Sequence, residues 1–180
     1  MNTVTLSAAL VLPAILVGIA AADTDATFKP IHVERTGGFQ LPIPPGEAIQ
    51  LFTGPGERLW APGWDPTVLS GDGTEPGTVF VSTHVDSTTI WIVVDYDPEA
   101  FRARYARTTP GVKVGTVEVN LQSDRKGGSE VRVTYELTAL SEAGNKDLAH
   151  FDESAYATMM TGWKQQIKNA EAKIAAHLGE

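Results

Sequence analysis

From Val117 to Thr138 the chain alternates apolar and polar side chains, and just beyond that stretch the period changes to that of a helix. Val117, Val119 and Leu121 alternate with Glu118, Asn120 and Gln122, and Val131, Val133, Tyr135 and Leu137 alternate with Arg132, Thr134, Glu136 and Thr138. Successive strand residues point to opposite faces, so a period of two describes a sheet with one covered face and one wet face. Residues Asp124 to Gly128 join the two runs as a hairpin, and short joins of this kind make neighbouring strands antiparallel.

Upstream the same texture continues. Val79-Phe80-Val81, Thr88 to Tyr96 and Phe101 to Thr108 read as further strands, closed by turn residues such as Asp97-Pro98 and Pro110-Gly111. An extended segment is expected from Ile31 to about Gln40, ending at Pro42 and Pro44-Pro45-Gly46. Residues 45–61 hold two short apolar stretches, Ile49 to Phe52 and Leu59-Trp60, split by Gly54-Pro55-Gly56. That arrangement suits one or two short helices.

After Ser141 a helical period runs to about Leu178. At 100° per residue, Leu148, Phe151, Ala155, Met159, Gly162, Trp163, Ala170 and Ile174 share one broad stripe, and Lys146, His150, Glu153, Lys164, Lys168 and Glu171 lie opposite. A continuous helix of that span would be about 45 Å long, and only the covered face of the sheet offers it a surface. The expected architecture is α+β, a curved antiparallel sheet gripping a long C-terminal helix.

The chain carries 14 Lys+Arg against 22 Asp+Glu, a formal net charge of −8, and no cysteine. Zero cysteine excludes disulfides, iron–sulfur clusters, thiolate zinc sites and cysteine nucleophiles. The acidic balance argues against nucleic acid as a partner, because phosphate binding needs clustered Lys and Arg. Val4 to Ala22 is almost continuously apolar and ends in Ala20-Ala21-Ala22, the small residues a signal peptidase reads. Residues 1–22 are therefore expected to be a signal peptide or an N-terminal membrane anchor, 23–30 a linker, and 31–180 one folded domain acting outside the cytoplasm.

Few motifs carry chemistry. His32, His84, His150 and His177 show no metal-ligand spacing, although His84 and Asp86 could share a strand face. Gly54-Pro55-Gly56-Glu57 lacks the Lys-Ser/Thr of a phosphate loop, and no nucleophile elbow is present. Within the helical stretch, Gly162 falls where a large side chain belongs, either to open space for a ligand or to let helix and sheet pack closely. Asp152 falls near the middle of the stripe, where a carboxylate would pair with Arg104 or Arg107, orient a ligand, or prove exposed through a different helix register. No metal or cofactor is expected.

The order of elements and several blocks of residues resemble the START-like superfamily, also called SRPBCC or polyketide cyclase/dehydrase-like, with its helix-grip fold. The blocks are Leu51-Phe52-Thr53 through Glu57-Arg58-Leu59-Trp60 to Trp64-Asp65-Pro66, Gly77-Thr78-Val79-Phe80, Tyr105-Ala106-Arg107 to Thr109-Pro110-Gly111, Gly115 to Val119, and Thr134-Tyr135 to Ala139-Leu140-Ser141. The resemblance spans Ile31 to Ile174. It implies a strand, two short helices, six further strands and the long helix, enclosing an elongated apolar cavity for lipids, sterols, polyketides or other hydrophobic molecules. The expected function is non-catalytic binding or transport of such a molecule. The alternatives are a cyclase- or dehydratase-like enzyme in the same cavity and a structural or interaction module. The candidate ligand-binding residues are Trp60, Trp64, Phe80, Trp91, Tyr105, Tyr135, Asp152, Tyr156, Met159 and Trp163.

Overall fold

The computed structural model describes residues 28–84 and 87–179. The apolar stretch 4–22, most of the linker 23–30 and Asp86 of the His84/Asp86 pair lie outside the described residues.

The alternating runs form the hairpin that anchors the sheet. Strand β6 (Lys113–Ser123) pairs antiparallel with β7 (Ser129–Ala139), with Val117 opposite Tyr135, Val119 opposite Val133 and Leu121 opposite Val131. All six are buried, whereas Glu130, Arg132 and Glu136 on the other face are exposed. The Asp124 carboxylate closes the turn by accepting the backbone N–H groups of Lys126 at 2.7 Å and Gly128 at 2.9 Å. Gly127 there takes φ +94°, a conformation costly for other residues.

The sheet extends on both sides of this hairpin. Its seven antiparallel strands run in the order β1-β7-β6-β5-β4-β3-β2, where β1 is His32–Leu41, β2 Thr67–Ser70, β3 Val79–His84, β4 Ser87–Asp97 and β5 Arg102–Thr109. Strand β1 pairs with the distant β7, so one edge of the sheet is set by a long-range contact. Between β1 and β2 lie the four-residue helix α1 (Pro45–Ala48) and two 3₁₀ turns, Ile49–Phe52 and Gly56–Leu59. Pro44 caps α1 and Pro45 sits in its first turn, where a missing N–H costs nothing. Strand β2 was visible only through the family resemblance, since its four residues are all exposed and carry no alternation.

The C-terminal region packs on the covered face as expected, yet it is not one continuous helix. It consists of α2 (Glu142–Ala149), α3 (Glu153–Asn169) and α4 (Glu171–Leu178). Residues 150–152 interrupt it because Asp152 is extended (φ −79°, ψ 178°) and its side chain accepts the Ala155 N–H at 2.8 Å, an N-cap that starts a new helix. The break resets the helical phase. The inward residues of α3 and α4 are Tyr156, Met160, Ile167 and Ile174, with Trp163 half-buried between them. Of the expected stripe, Leu148 and Ile174 are buried and Phe151, Met159, Trp163 and Ala170 pack half-buried on the core, whereas Ala155 is exposed and the first turns of α3 turn Tyr156 and Met160 inward.

Tyr156 joins α3 to the sheet directly. Its hydroxyl donates to the Val133 carbonyl at 2.7 Å, and its ring meets Tyr135 and Phe151 edge-on. Arg35 of β1 donates from Nε to the Phe151 carbonyl at 3.1 Å, which satisfies the chain where α2 ends and α3 begins.

Candidate functional site

A pocket of about 330 Å³ lies between the two 3₁₀ turns, the covered face of β3 to β7, and α3. The turns are set by local chemistry. Thr53 donates its hydroxyl to the Gln50 carbonyl at 2.9 Å and accepts the Gly56 N–H at 3.0 Å, which fixes the bend between them. That bend delivers Phe52, Glu57 and Trp60 to one rim, while β3, β4 and β5 present Phe80, Trp91 and Tyr105 from the sheet.

Aromatic rings form most of the wall. Phe80 and Trp91 stack with centroids 5.9 Å apart and planes 7° apart, and Trp64 meets both edge-on. On the other side Trp60 meets Trp163 of α3 at 5.3 Å, and Phe52 contacts both. The polar ends of these rings are already used inside the protein. Trp60 Nε1 donates to the Leu51 carbonyl at 2.7 Å, and Trp64 Nε1 to the Gly54 carbonyl at 2.8 Å. Trp91 Nε1 donates to Ser82 Oγ at 2.9 Å, and Tyr105 Oη to the Phe52 carbonyl at 2.9 Å. These four rings are therefore held in place by their polar ends, and their apolar faces line the pocket.

Five ionisable side chains interrupt the apolar lining: Glu57, His84, Tyr105, Arg107 and Tyr135. Burial pushes the Glu57 carboxyl up to about 8 against the opposing pull of the Arg107 charge, so it carries its proton at neutral pH. Burial likewise pushes the Tyr135 hydroxyl up to about 12, partly offset by Arg107. Tyr105 is raised too, chiefly by burial and then by Glu57. Desolvation lowers Arg107 from its ordinary value, although it remains a cation.

Arg107 is the group the local structure explains least. Its Nε is buried without an acceptor, and its Nη2 reaches Thr89 Oγ1 only at 3.5 Å. Among the described residues no carboxylate lies within ion-pair distance of it. The guanidinium carbon does sit 4.6 Å from the Trp91 ring centroid. Such stacking is worth about 2 kcal/mol when desolvated, while taking an ion out of water costs several kcal/mol. The stack covers one face of the group and leaves its N–H edge unpaired.

Among the sequence candidates, the structure gathers Trp60, Trp64, Phe80, Trp91, Tyr105, Tyr135 and Trp163 around this one pocket. Asp152, Tyr156 and Met159 lie outside it. Asp152 is exposed and occupied as the cap of α3, so neither an ion pair with Arg104 or Arg107 nor an inward orientation is realised. Tyr156 is buried against β1 and β7, and Met159 packs half-buried at the edge of the core. Gly162 does not serve close packing, because a Cβ added there would meet nothing within 4 Å. Glu57 was not singled out from sequence, since it sits in a 3₁₀ turn without periodicity. Arg107 had a readable signal: it alternates with Ala103, Tyr105 and Thr109 on the inward face of β5, where a cation is out of place.

No protein-family model matches the sequence, and no curated protein matches it significantly. Solved structures do match. Ara h 8.0201 superposes with a TM-score of 0.56 at 18 % identity, over 82 % of this chain and 99 % of its own. Norcoclaurine synthase from Thalictrum flavum gives 0.57 at 11 % identity, over 92 % and 98 %. An uncharacterised protein from Rhizobium leguminosarum gives 0.56 at 13 %, over 82 % and 97 %. The chain has the helix-grip fold. In this helix-grip chain α3 packs on β1 and α2 on β7, and the likeness to the solved proteins is one of fold. Norcoclaurine synthase has also been solved with dopamine and hydroxybenzaldehyde, two aromatic small molecules.

Proposed function

We propose that the protein binds a hydrophobic, ring-bearing small molecule in this pocket and holds it without making or breaking bonds. The observation that carries the reading is the aromatic wall, whose polar ends are satisfied internally and whose faces line a hollow of about 330 Å³. Pockets of roughly 300–1,000 Å³ suit small molecules, and burial of apolar ligand area contributes about 25 cal/mol per Å² before the cost of association. A helix-grip neighbour captured with two aromatic compounds supports the same reading. The apolar run over residues 4–22 supports a place of action outside the cytoplasm.

Native mass spectrometry of the purified chain tests this, together with titration by the neutral fluorophore N-phenyl-1-naphthylamine. A retained small molecule, or saturable one-to-one enhancement of the dye, is the expected result. Absence of both overturns the reading.

A catalytic reading rests on one specific observation. Half-buried Glu57 shares a pocket with Tyr135 and Arg107, and burial pushes its carboxyl up to about 8, which is the direction a general acid requires. Glu57→Gln separates the two readings, because it leaves ligand affinity intact in a carrier and abolishes turnover in an enzyme.

A further inference from the structure

The proposed binding reading leaves the polar end of the ligand unassigned, and the inference here rests on that reading. Arg107 lies in the middle of β5, opposite Trp91 of β4 and Gly115 of β6. Trp91 covers only one face of the guanidinium. Among the described residues the one acceptor it approaches, Thr89 Oγ1 at 3.5 Å, is also paired with Thr109 Oγ1 at 2.8 Å. Its Nε is buried without any acceptor at all. Glu57, the acid that shares the pocket, is held neutral by burial and makes no ion pair with it among the described residues. Among the described residues the pocket thus contains a largely desolvated cation with an unsatisfied Nε and no ion-pair partner. A guanidinium edge of this kind matches a carboxylate with two parallel hydrogen bonds.

We infer that the ligand is an aromatic carboxylate, its anionic end on the guanidinium edge of Arg107 and its ring against Trp91 and the neighbouring aromatic walls. The net charge of −8 sharpens this assignment. An acidic surface repels anions, so a preference for an anion over its neutral isostere has to arise inside the pocket.

The test compares 2-naphthoate with 2-naphthamide at neutral pH, where the acid is ionised, by quenching of the pocket tryptophans and by calorimetry. The acid is expected to bind at least tenfold tighter than the amide. Arg107→Met should erase that difference while amide affinity persists, and Arg107→Lys, which keeps charge but loses the fork, should retain only part of it. Equal binding of acid and amide by the unaltered protein overturns the inference and leaves hydrophobic binding standing. Binding of neither probe removes the hydrophobic-binding reading itself. The comparison on the unaltered chain decides the matter even if a variant fails to fold.

Discussion

The guanidinium carbon of Arg107 stands 4.6 Å from the centre of the Trp91 ring, and the indole N–H of Trp91 is fixed to Ser82 Oγ at 2.9 Å. A cation placed this way is a poor structural device, since its Nε has no partner. Taking an ion out of water costs several kcal/mol, and without an ion-pair partner that cost is offset here only by the stack on Trp91. Arg107→Met should accordingly unfold in urea at the same concentration as the parent or a higher one. A loss of more than about 2 kcal/mol would assign the guanidinium to the scaffold instead of to a ligand.

Glu57 makes stability depend on pH. In the folded chain it keeps its proton up to about pH 8, whereas the unfolded chain releases it near 4.5. Between those values the folded state binds more protons than the unfolded state, so stability falls as pH rises and levels off above the upper value. Urea midpoints measured at pH 5, 6.5 and 8.5 should show this decline. Glu57→Gln should lack that component and be the more stable protein at pH 8.5. An identical slope in both proteins would mean that the carboxyl is solvated.

Asp152 is a structural residue, and its removal should say so. Asp152→Ala deletes the acceptor for the Ala155 N–H, a loss worth about 1 kcal/mol at a helix N-cap. Thermal unfolding should register that loss, while the affinity for any pocket ligand stays unchanged. A fall in affinity without a fall in stability would return Asp152 to the site.

The same residue marks where sequence reading stops. The sheet was legible because β6 and β7 alternate strictly, and a period of two leaves little freedom over which side chains are covered. The aromatic members of the pocket were legible for a related reason: Trp91, Tyr105 and Tyr135 occupy covered positions of their strands. The C-terminal face was less so. Phase in a helix accumulates from its start, and the extended backbone at Asp152 restarts the count, which moves the inward set to Tyr156, Met160 and Ile167. Glu57 was beyond reach, because it sits in a 3₁₀ turn without periodicity and meets the pocket only through strands distant in sequence.

Two glycines complete the argument about how close α3 comes to the sheet. Of the two expectations for Gly162, ligand space or a close approach, the close approach is not realised, because a Cβ there meets nothing within 4 Å. The close approach is made instead by Gly37 of β1, where an added Cβ would sit 2.9 Å from Tyr156 Cε1 and 3.2 Å from Met160 Cγ. The Tyr156 ring cannot swing aside freely, because its hydroxyl is tied to the Val133 carbonyl at 2.7 Å. Gly162→Ala should therefore stabilise the protein by up to about 1 kcal/mol through helix propensity. Gly37→Ala should destabilise it by about 1–3 kcal/mol through overpacking. Paired urea titrations of the two variants check both signs, and a stabilising Gly37→Ala would mean that α3 does not bear on β1 at that point.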